Sequence, residues 1–501
     1  MPSKVSNVLF VICHDIGRRY GCYGNPQILT PNLDRLARES VQFDNHFCQW
    51  PLCGPSRANI FSGCRPLTTE RYAFEPFFPE FRKKMAPGFQ SLPELFKAHG
   101  YQALATGLIY HDVNDPDSWS RPEWEPPAAN DMPDWAAGWL ATNEVTRYRL
   151  PESRELIRQR LETLQADGYQ RADFKMDAVR RKVQGPAVEG CEGEDEIYYD
   201  GKVNRKAVEY LEQMDGQTPF FLAVGFVNAH TPFMAPKKYW DLYDRSQLRL
   251  PENQDDPEGS PEWASGDSEP AQLYTSNGYE KPWRASREQS LELLHGRYAA
   301  ISYFDAQVGK LVEALRRRGV YDDTLIVVTS DHGFHEAEHG YWGKHNLWDV
   351  SLQVPLLMRI PGMIEKGVRI SALTEHVDIF PTLCELRGLP VPGYVEGDSL
   401  VPLIRQPERP WKRAVFAHRK HMWHDRIQAY AFAHSVRTHT HRLNVYLDDR
   451  GARLYTELFD YVKDPLETTN VAGDPAHASV MRELSEWLKA GWQSCRPGHH
   501  A

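Results

Sequence analysis

Near its start the chain reads Asn7-Val-Leu-Phe-Val-Ile-Cys13, a continuous apolar run that ends directly in His14-Asp15. Such a run is typical of a strand that is buried on both faces of a sheet. A second run, Thr324-Leu-Ile-Val-Val-Thr329, ends in the same way, in Ser330-Asp-His-Gly333. Because ligands of an open parallel sheet bind beyond the carboxyl ends of its strands, the two runs bring a carboxylate and an imidazole each to one edge.

Predicted helices and strands alternate along the rest of the chain around these two strands. The predicted helices are Pro31–Arg38, Ser91–Gly100, Arg205–Met214 and Ala299–Arg318, and the other predicted strands are Tyr101–Gly107, Pro219–Gly225 and Val354–Ile360. Alternation of this kind indicates an α/β fold, with a mostly parallel central sheet and helices on both of its faces.

A chain of 501 residues is longer than one small hydrophobic core supports. We expect an α/β domain over residues 1–391 and a small α+β domain over residues 392–501. The second domain is predicted from short strands at Arg413–Ala417, Ala429–Ala433 and Arg442–Leu447 and from a helix at Ala478–Gly491. Two stretches rich in proline and charge, near residues 118–193 and 251–282, are predicted insertions of the kind that often border a site.

The composition excludes several classes of protein. Disorder is excluded because the chain has 14 Trp, 23 Tyr and 21 Phe to bury. A formal net charge of −10 without a basic tract gives no support for nucleic-acid binding. No apolar run has the length of a membrane span or of a secretion signal. We therefore expect no membrane partner and a cytoplasmic protein, or a periplasmic or secreted one if a signal was trimmed.

The four side chains at the predicted sheet edge form a candidate site for a divalent metal. His14, Asp15, Asp331 and His332 would supply two imidazoles and two carboxylates, which suit such an ion. The alternative is that each dipeptide is an ordinary turn, since aspartate is common after strands. Either dipeptide alone favours the turn, whereas the pair, together with the motif below, favours the metal.

A single cysteine stands apart from the other seven, which show no CxxC pair and are expected to be free thiols. Cys53 lies in Pro51-Leu-Cys-Gly-Pro-Ser-Arg57, and Pro55 suits the first position of a helix. Cys53 would then precede that helix, where the positive end of the dipole favours anions. Arg57, one turn later, can point back at the same place. The alternative is a buried structural thiol.

These residues also carry a resemblance to a known family. Cys53-Gly-Pro-Ser-Arg57 resembles the C-x-P-S-R motif of the formylglycine-dependent type I sulfatases of the alkaline phosphatase superfamily. Similarity to the family continues at Asp15–Gly24, Thr30–Ala37, Ser330–His345 and Glu457–Asn470. Iduronate-2-sulfatase-like members are the most similar branch, on the strength of Arg65–Thr69, Pro219–Gly225 and His230–Phe233.

The resemblance implies an alkaline-phosphatase-like sandwich that hydrolyses sulfate esters of sulfated sugars or aryl sulfates. It implies a divalent metal, with Ca²⁺ expected. It also implies that a maturation enzyme oxidises Cys53 to formylglycine. The expected partners are that enzyme and a sulfated small molecule or glycan, and a homo-oligomer is left open.

The same resemblance implies a role for each candidate catalytic residue. The hydrated aldehyde at Cys53 attacks sulfur, while Arg57 and Lys344 hold the sulfate and offset its developing charge. His230 protonates the leaving oxygen, and His111 takes the proton whose loss expels sulfate. For each histidine alone, a structural hydrogen-bonding role is the alternative. We interpret His345, His418, His421 and His424 as structural.

Two positions depart from the family pattern. The family has Asp-Asp where this chain has His14-Asp15, and it has lysine where this chain has Leu108, three residues before His111. One change removes a negative charge from the metal shell and the other removes a positive charge from the sulfate pocket. Our hypothesis is that the two compensate. Two imidazoles would also suit Mn²⁺ or Zn²⁺ better than an all-oxygen calcium site does.

Two other functions remain open from the sequence. One is a phosphodiester or phosphonate monoester hydrolase on the same fold, with the same nucleophile and metal. The other is a catalytically inactive binding protein, which only the missing lysine supports.

Overall fold

The structure, a computed structural model of the 501-residue chain, describes residues 7–72, 78–85, 88–111, 115–127, 148–169, 185–264, 284–363, 365–420 and 431–498. Its strands are β1 (Asn7–Cys13), β2 (Val41–Phe47), β3 (Gln102–Gly107), β4 (Val188–Cys191), β5 (Phe220–Gly225), β6 (Phe233–Pro236), β7 (Thr324–Ser330), β8 (His335–Glu336), β9 (Trp342–Gly343), β10 (Gln353–Arg359), β11 (Val368–Glu375), β12 (Val415–Lys420), β13 (Phe432–Arg437), β14 (His441–Leu447) and β15 (Arg453–Asp460). Its α-helices are α1 (Pro31–Ala37), α2 (Cys53–Ser62), α3 (Pro66–Thr69), α4 (Phe78–Lys84), α5 (Leu92–Ala98), α6 (Pro151–Ala166), α7 (Tyr199–Gln213), α8 (Lys237–Trp240), α9 (Arg287–Arg317), α10 (Asp349–Leu352), α11 (Ile379–Arg387), α12 (Val401–Arg405) and α13 (Ala478–Ala490).

A seven-stranded sheet forms the centre of the larger part of the chain, in the order β11-β2-β10-β7-β1-β5-β3. The pairs β1–β5, β1–β7, β3–β5 and β2–β11 are parallel. Strand β10 runs antiparallel to both of its neighbours, β2 and β7. The predicted α/β fold with a mostly parallel central sheet is therefore confirmed.

The two faces of strand β1 belong to two different hydrophobic cores. Leu9 and Val11 pack into the core that helices α7 and α9 cover. Val8 and Phe10 pack into the opposite core, which helices α2, α5 and α11 cover. Both faces need apolar side chains, which explains why the strand reads as one unbroken apolar run.

Several element boundaries differ from the predicted ones. Helix α7 begins at Tyr199 rather than Arg205, and α9 begins at Arg287 rather than Ala299. The first four residues of α9, Arg287–Ser290, are polar and hide the start of the helix from an apolar pattern. A capping box between Ser286 and Gln289 fixes that start. The sequence pattern does not predict β2, β11 or β15. The strand predicted at residues 429–433 lies at Phe432–Arg437 instead, and residues 429 and 430 lie outside the described part.

The predicted insertions are described only in part. Residues 128–147, 170–184 and 265–283 lie outside the described ranges. The described part of the first insertion contains α6 and β4, and β4 pairs in parallel with β6. Across the described ranges, every helix is too short or too polar to cross a membrane.

The C-terminal part contains a four-stranded antiparallel sheet in the order β12-β13-β14-β15. Helix α13 packs on one face of this sheet through Leu484. The other face packs against Trp348 and Leu352 at the end of the α/β part. Leu400 and Leu403 follow the predicted domain boundary but belong to a core of the central sheet. The boundary at residues 391 and 392 stays a prediction.

Candidate active site

Five buried side chains converge where strands β1 and β7 end. They are His14, Asp15, Cys53, Asp331 and His332, and each offers one ligand atom within 4.8 Å of the others. Four of these residues are the predicted metal ligands, and the fifth is the predicted nucleophile. The sheet edge thus brings together the residues that the sequence selects.

The register of the sheet explains why the two acidic segments meet. Cys13 of β1 lies opposite Ser330 of β7 in a parallel pair, so His14-Asp15 and Asp331-His332 emerge side by side. The Asp15 amide donates a hydrogen bond to Asp331 Oδ1 at 3.0 Å, and the Asp331 amide donates to the Cys13 carbonyl at 3.2 Å. Asp15 adopts a left-handed backbone with φ of 63°, which turns the chain at the sheet edge.

Cys53 is the first residue of helix α2, two residues earlier than the start that Pro55 predicts. Its Sγ lies 2.7 Å from His14 Nε2, 3.2 Å from His332 Nε2 and 4.0 Å from Asp15 Oδ1. Burial raises the pKa of the Cys53 thiol well above its ordinary value, and the charges of Asp331 and Asp15 raise it further against those of Lys344 and Arg57. The unmodified thiol is therefore neutral and a poor nucleophile.

Arg57 connects helix α2 to the metal cluster and to the loop after β3. Its Nε donates to Asp331 Oδ2 at 3.0 Å, and its Nη1 donates to the carbonyls of Leu108 and Ile109. Its Nη2 is buried and makes no hydrogen bond within the described residues. Leu108 stands where the family has lysine, and it meets Arg57 through its backbone carbonyl instead. The free Nη2 group is a donor suited to an anionic oxygen.

The other predicted catalytic residues surround the same cluster. Lys344 is 2% exposed, and its Nζ lies 2.7 Å from Asp15 Oδ2. His230 Nε2 lies 3.8 Å from the same oxygen, and its ring lies 4.4 Å from the ring of His14. The ring of His111 lies 5.7 Å from that of His14. All nine predicted site residues thus lie in one place, while their individual roles stay predictions.

The charge states of the candidate ligands suit a metal. Burial, followed by the charges of His230 and Arg57, lowers the pKa of His14 well below its ordinary value. Burial would raise the pKa of Asp331, but His332 and Arg57 bring it down to about 2. His14 is therefore a neutral imidazole and Asp331 an ionised carboxylate, which are the forms that bind metals. His14 Nε2 lies 3.5 Å from both Asp15 Oδ1 and Asp331 Oδ2, so it faces the cluster.

Three supporting residues have no sequence motif that the prediction used. Arg297 of α9 is fully buried and donates to the carbonyls of Asp15 at 2.6 Å and Ala229 at 2.9 Å. Its Nε donates to Glu336. On the other side, His376 Nε2 lies 3.1 Å from the Asp331 carbonyl. Arg297 thus fixes the backbone of Asp15, and His376 fixes the backbone of Asp331.

A row of two imidazoles reaches the cluster from the sheet interior. His46 Nε2 lies 3.0 Å from His376 Nδ1, and His46 Nδ1 lies 2.9 Å from Thr374 Oγ1. Burial lowers the pKa of His376 to about 4 and that of His46 well below its ordinary value. Ser56, within the C-x-P-S-R motif, donates from Oγ to the same Asp331 carbonyl at 2.5 Å. The motif serine is the only one of these groups that sequence reasoning could have flagged.

Of the four histidines that we interpreted as structural, the structure describes His418 and His345. His418 Nδ1 lies 2.9 Å from His434 Nδ1 in the C-terminal sheet. His345 adopts a left-handed backbone beside Lys344, with φ of 42°. His421 and His424 lie outside the described residues.

Comparison with known proteins identifies the relatives of this chain. A family model described as Sulfatase matches residues 6–389, and one described as N-sulphoglucosamine sulphohydrolase, C-terminal, matches residues 337–493. The chain is 28% identical to human (Homo sapiens) iduronate 2-sulfatase over 424 residues, which cover 77% of this chain and 70% of that one. It is 28% identical to a choline-sulfatase of Rhizobium meliloti (strain 1021), over 95% of this chain and 84% of the relative.

A solved structure shares the fold. The phosphonate monoester hydrolase of Agrobacterium radiobacter superposes with a TM-score of 0.71 at 23% identity, covering 97% of this chain and 95% of that one. At this identity the likeness concerns the fold alone. The Sulfatase match spans more than half of the chain and includes every predicted site residue. The chain therefore belongs to the sulfatase family of the alkaline phosphatase superfamily and is a sulfuric ester hydrolase.

Proposed function

We propose that this sulfatase acts on sulfated sugars, with a nucleophile formed from Cys53 and one divalent metal held by His14, Asp15, Asp331 and His332. The observation that carries the proposal is the place of Cys53. Its Sγ lies among four candidate metal ligands, 2.7 Å from His14 Nε2 and 3.2 Å from His332 Nε2.

The environment of Cys53 supports an oxidised side chain rather than a thiol. Burial and two carboxylates keep the thiol neutral by raising its pKa, so it would attack sulfur poorly. Once oxidised to the aldehyde and hydrated, residue 53 supplies one oxygen for attack on sulfur and a second whose deprotonation releases sulfate. Cys53 is 1% exposed and Arg57 is fully buried, so a maturation enzyme has to reach the motif before the chain folds.

The donor set fits a divalent ion. Two imidazole nitrogens and two carboxylates converge within 4.8 Å, and such a mixed set favours Mn²⁺ or Zn²⁺ more than an all-oxygen shell would. Calcium remains the ion that the family resemblance implies. When bound, the ion would act as a Lewis acid on oxygens of the ester and lower the pKa of the attacking hydroxyl.

The surrounding cations and histidines have distinct proposed tasks. Arg57 Nη2 and Lys344 Nζ bind oxygens of the sulfate group and offset the charge that develops there. His230 donates a proton to the oxygen of the departing alcohol. His111 removes the proton whose loss allows sulfate to leave. With Leu108 in place of lysine and His14 in place of aspartate, the pocket loses one charge of each sign, which supports our hypothesis of compensation.

An aromatic cluster lies beside the cysteine motif, and the proposal of a sugar comes from the relatives of the chain. Trp50, three residues before Cys53, stacks on Tyr72 with ring centroids 5.1 Å apart. Phe432 of the C-terminal sheet meets Tyr72 edge-on at 5.7 Å. Trp50 is 1% exposed, so its ring belongs to a buried aromatic cluster that supports the motif from behind. The name of the human relative, an iduronate sulfatase, points to the sugar.

Peptide mass spectrometry across Pro51–Arg57 on protein from its native source tests the nucleophile. An aldehyde or its hydrate at Cys53 supports the proposal, whereas unmodified Cys53 in active protein would refute it. Cys53→Ala provides the inactive control.

A substrate panel tests the chemistry separately. We expect turnover of a 2-O-sulfated uronic disaccharide and of 4-nitrophenyl sulfate to exceed that of choline sulfate and of a phosphonate monoester. Faster turnover of the phosphonate ester would favour the alternative hydrolase, and faster turnover of choline sulfate would replace the sugar. A cytoplasmic location and a homo-oligomer stay predictions, which cell fractionation and sedimentation can test.

A further inference from the structure

We propose that the C-terminal sheet carries a second metal site, in which His441, Asp460 and His477 bind a divalent transition metal such as Zn²⁺. The three residues come from separate segments. His441 is the first residue of β14, Asp460 is the last of β15, and the two are direct partners in the antiparallel pair. His477 ends the short 3₁₀ helix Pro475–His477, immediately before helix α13.

The distances suit a metal without rearrangement of the backbone. His477 Nε2 lies 3.3 Å from Asp460 Oδ2, and His441 Nε2 lies 3.8 Å from Asp460 Oδ1. The ligand atoms of all three lie within 4.8 Å of one another. Zinc bonds of about 2.0–2.2 Å in a tetrahedral arrangement space their ligand atoms about 3.4 Å apart, so side-chain adjustments alone complete the site.

Each imidazole is already oriented by a second oxygen. Thr440 Oγ1 lies 2.9 Å from His441 Nδ1, and Asp474 Oδ2 lies 3.1 Å from His477 Nδ1. Asp474 is itself fixed, because its Oδ1 accepts the Ala476 amide at 2.9 Å. Both Nε2 atoms therefore face Asp460. Around zinc, a histidine typically binds the metal through one ring nitrogen, while its other ring nitrogen bonds a carboxylate or another oxygen. His441 and His477 have this arrangement.

The hydrogen bonds of His477 leave its Nε2 able to bind the ion. Both of its nitrogens face a carboxylate, Asp474 at Nδ1 and Asp460 at Nε2. Ionised carboxylates only accept, so the ring either carries two protons and donates to both, or carries one and leaves a lone pair facing the other. A metal between His477 Nε2 and Asp460 uses that lone pair and the carboxylate together.

The groups around Asp460 leave room for the ion. Lys463 Nζ lies 3.9 Å from Asp460 Oδ2, but its side chain is 76% exposed and free to move into solvent. The Val462 amide donates to Asp460 Oδ1 at 3.0 Å and keeps the carboxylate in place. His441 and His477 are 15% and 9% exposed at their side chains, so water can reach the ion and complete its shell. With its three protein ligands and water, the ion would link β14, β15 and the start of α13.

Metal stoichiometry of the full chain tests the proposal. The protein is stripped with chelator, dialysed against Zn²⁺ alone and analysed for bound metal. We expect the His441→Gln/His477→Gln variant to hold one equivalent less than the unchanged chain, with the remaining equivalent at the active-site cluster. The exposed His439→Gln variant, from the hairpin between β13 and β14, is the matched control and is expected to bind as the unchanged chain does. Equal stoichiometry in all three proteins would overturn the proposal.

A second variant keeps the test independent of folding. Asp474→Asn leaves all three ligands in place and removes only the oxygen behind His477, so it should weaken the C-terminal zinc site about 10- to 100-fold. The visible spectrum of Co²⁺ reports the geometry of that site directly. Unchanged affinity in Asp474→Asn, or a spectrum that His441→Gln leaves unaltered, would also contradict a site at His477. Neither readout depends on turnover, so failure here is separate from failure of the proposed function.

Discussion

Arg297 donates from Nη2 to the backbone carbonyl of Asp15 at 2.6 Å, although the two residues lie 282 positions apart. The same guanidinium donates from Nη1 to the carbonyl of Ala229, the neighbour of His230, and from Nε to Glu336. It lies 4.6 Å from the ring of Phe334, and it is fully buried. One side chain thus sets the positions of a candidate metal ligand and a candidate acid relative to each other.

Replacing Arg297 by lysine should separate positioning from stability. Lysine keeps the charge beside Glu336 but lacks the planar fork that reaches two carbonyls. We expect Arg297→Lys to lower kcat roughly 10- to 100-fold, as misplaced catalytic groups do, with a smaller effect on KM. Steady-state kinetics and Tm measure both effects. Arg317→Lys, at the exposed end of the same helix, is the control, and a normal kcat in Arg297→Lys would contradict the role.

Restoring aspartate at position 14 should change the metal preference. His14→Asp replaces an imidazole by a carboxylate and makes the shell harder, so binding of Ca²⁺ should strengthen on the order of tenfold relative to Mn²⁺. Isothermal titration with each ion gives the Kd values. His14→Asp/Leu108→Lys restores both family charges and should recover more turnover than either single variant. If the losses of turnover in the two single variants simply add in the double variant, the hypothesis of compensation is wrong.

His230 should matter most for substrates with poor leaving groups. If it protonates the departing oxygen, His230→Gln should lower turnover of a sugar sulfate about 10²- to 10⁴-fold. Turnover of 4-nitrophenyl sulfate should fall much less, because nitrophenolate leaves without a proton. Comparing kcat for the two substrates measures the difference. Equal losses on both would instead assign His230 to binding or structure.

Mild acid should destabilise the protein through His418. Burial, with His434 adjacent, lowers the pKa of His418 from 6.5 to about 3. The unfolded chain therefore protonates His418 near pH 6.5, whereas the folded chain protonates it only near pH 3. The free energy of unfolding should fall across this window as pH decreases, by up to about 1.4 kcal/mol per pH unit.

Urea denaturation at pH 7 and pH 5 checks this dependence. His418→Asn should reduce the loss of stability between the two values, because asparagine takes up no proton. His99→Asn, on the exposed end of α5, should leave the loss unchanged. A pH dependence that His418→Asn does not alter would place the titration elsewhere.

The sequence predicts the part of the site that follows from strand ends. Two unbroken apolar runs identify β1 and β7, and parallel pairing then brings His14-Asp15 beside Asp331-His332. Cys53 and Arg57 follow from a helix start and a motif. These inferences succeed because a strand buried on both faces has an unmistakable pattern and a fixed exit edge.

The sequence does not predict the residues that support the site from other elements. Arg297 lies on α9, and the next exposed charged residue of that helix, Lys310, follows thirteen positions later. Nothing in the sequence around a single arginine shows that its side chain is buried. Strand β2 contains Gln42 and His46, both buried, whose polar side chains interrupt the apolar pattern. The partners of His46, which are Thr374 and His376, come from distant segments, so its burial does not show in the local sequence.

The imidazole row behind Asp331 has one further consequence. The Asp331 carbonyl can only accept, so His376 carries its proton on Nε2 and accepts on Nδ1, and His46 in turn carries its own on Nε2. Both N–H hydrogens of the row point towards the Asp331 carbonyl. The reverse arrangement would set the Nε2 lone pair of His376 against that oxygen. The row ends on a carbonyl oxygen that has no proton to exchange, so it holds the Asp331 backbone and delivers no proton to the metal ligands. The proposed proton donor and acceptor, His230 and His111, lie beside the ring of His14 and are not members of this row.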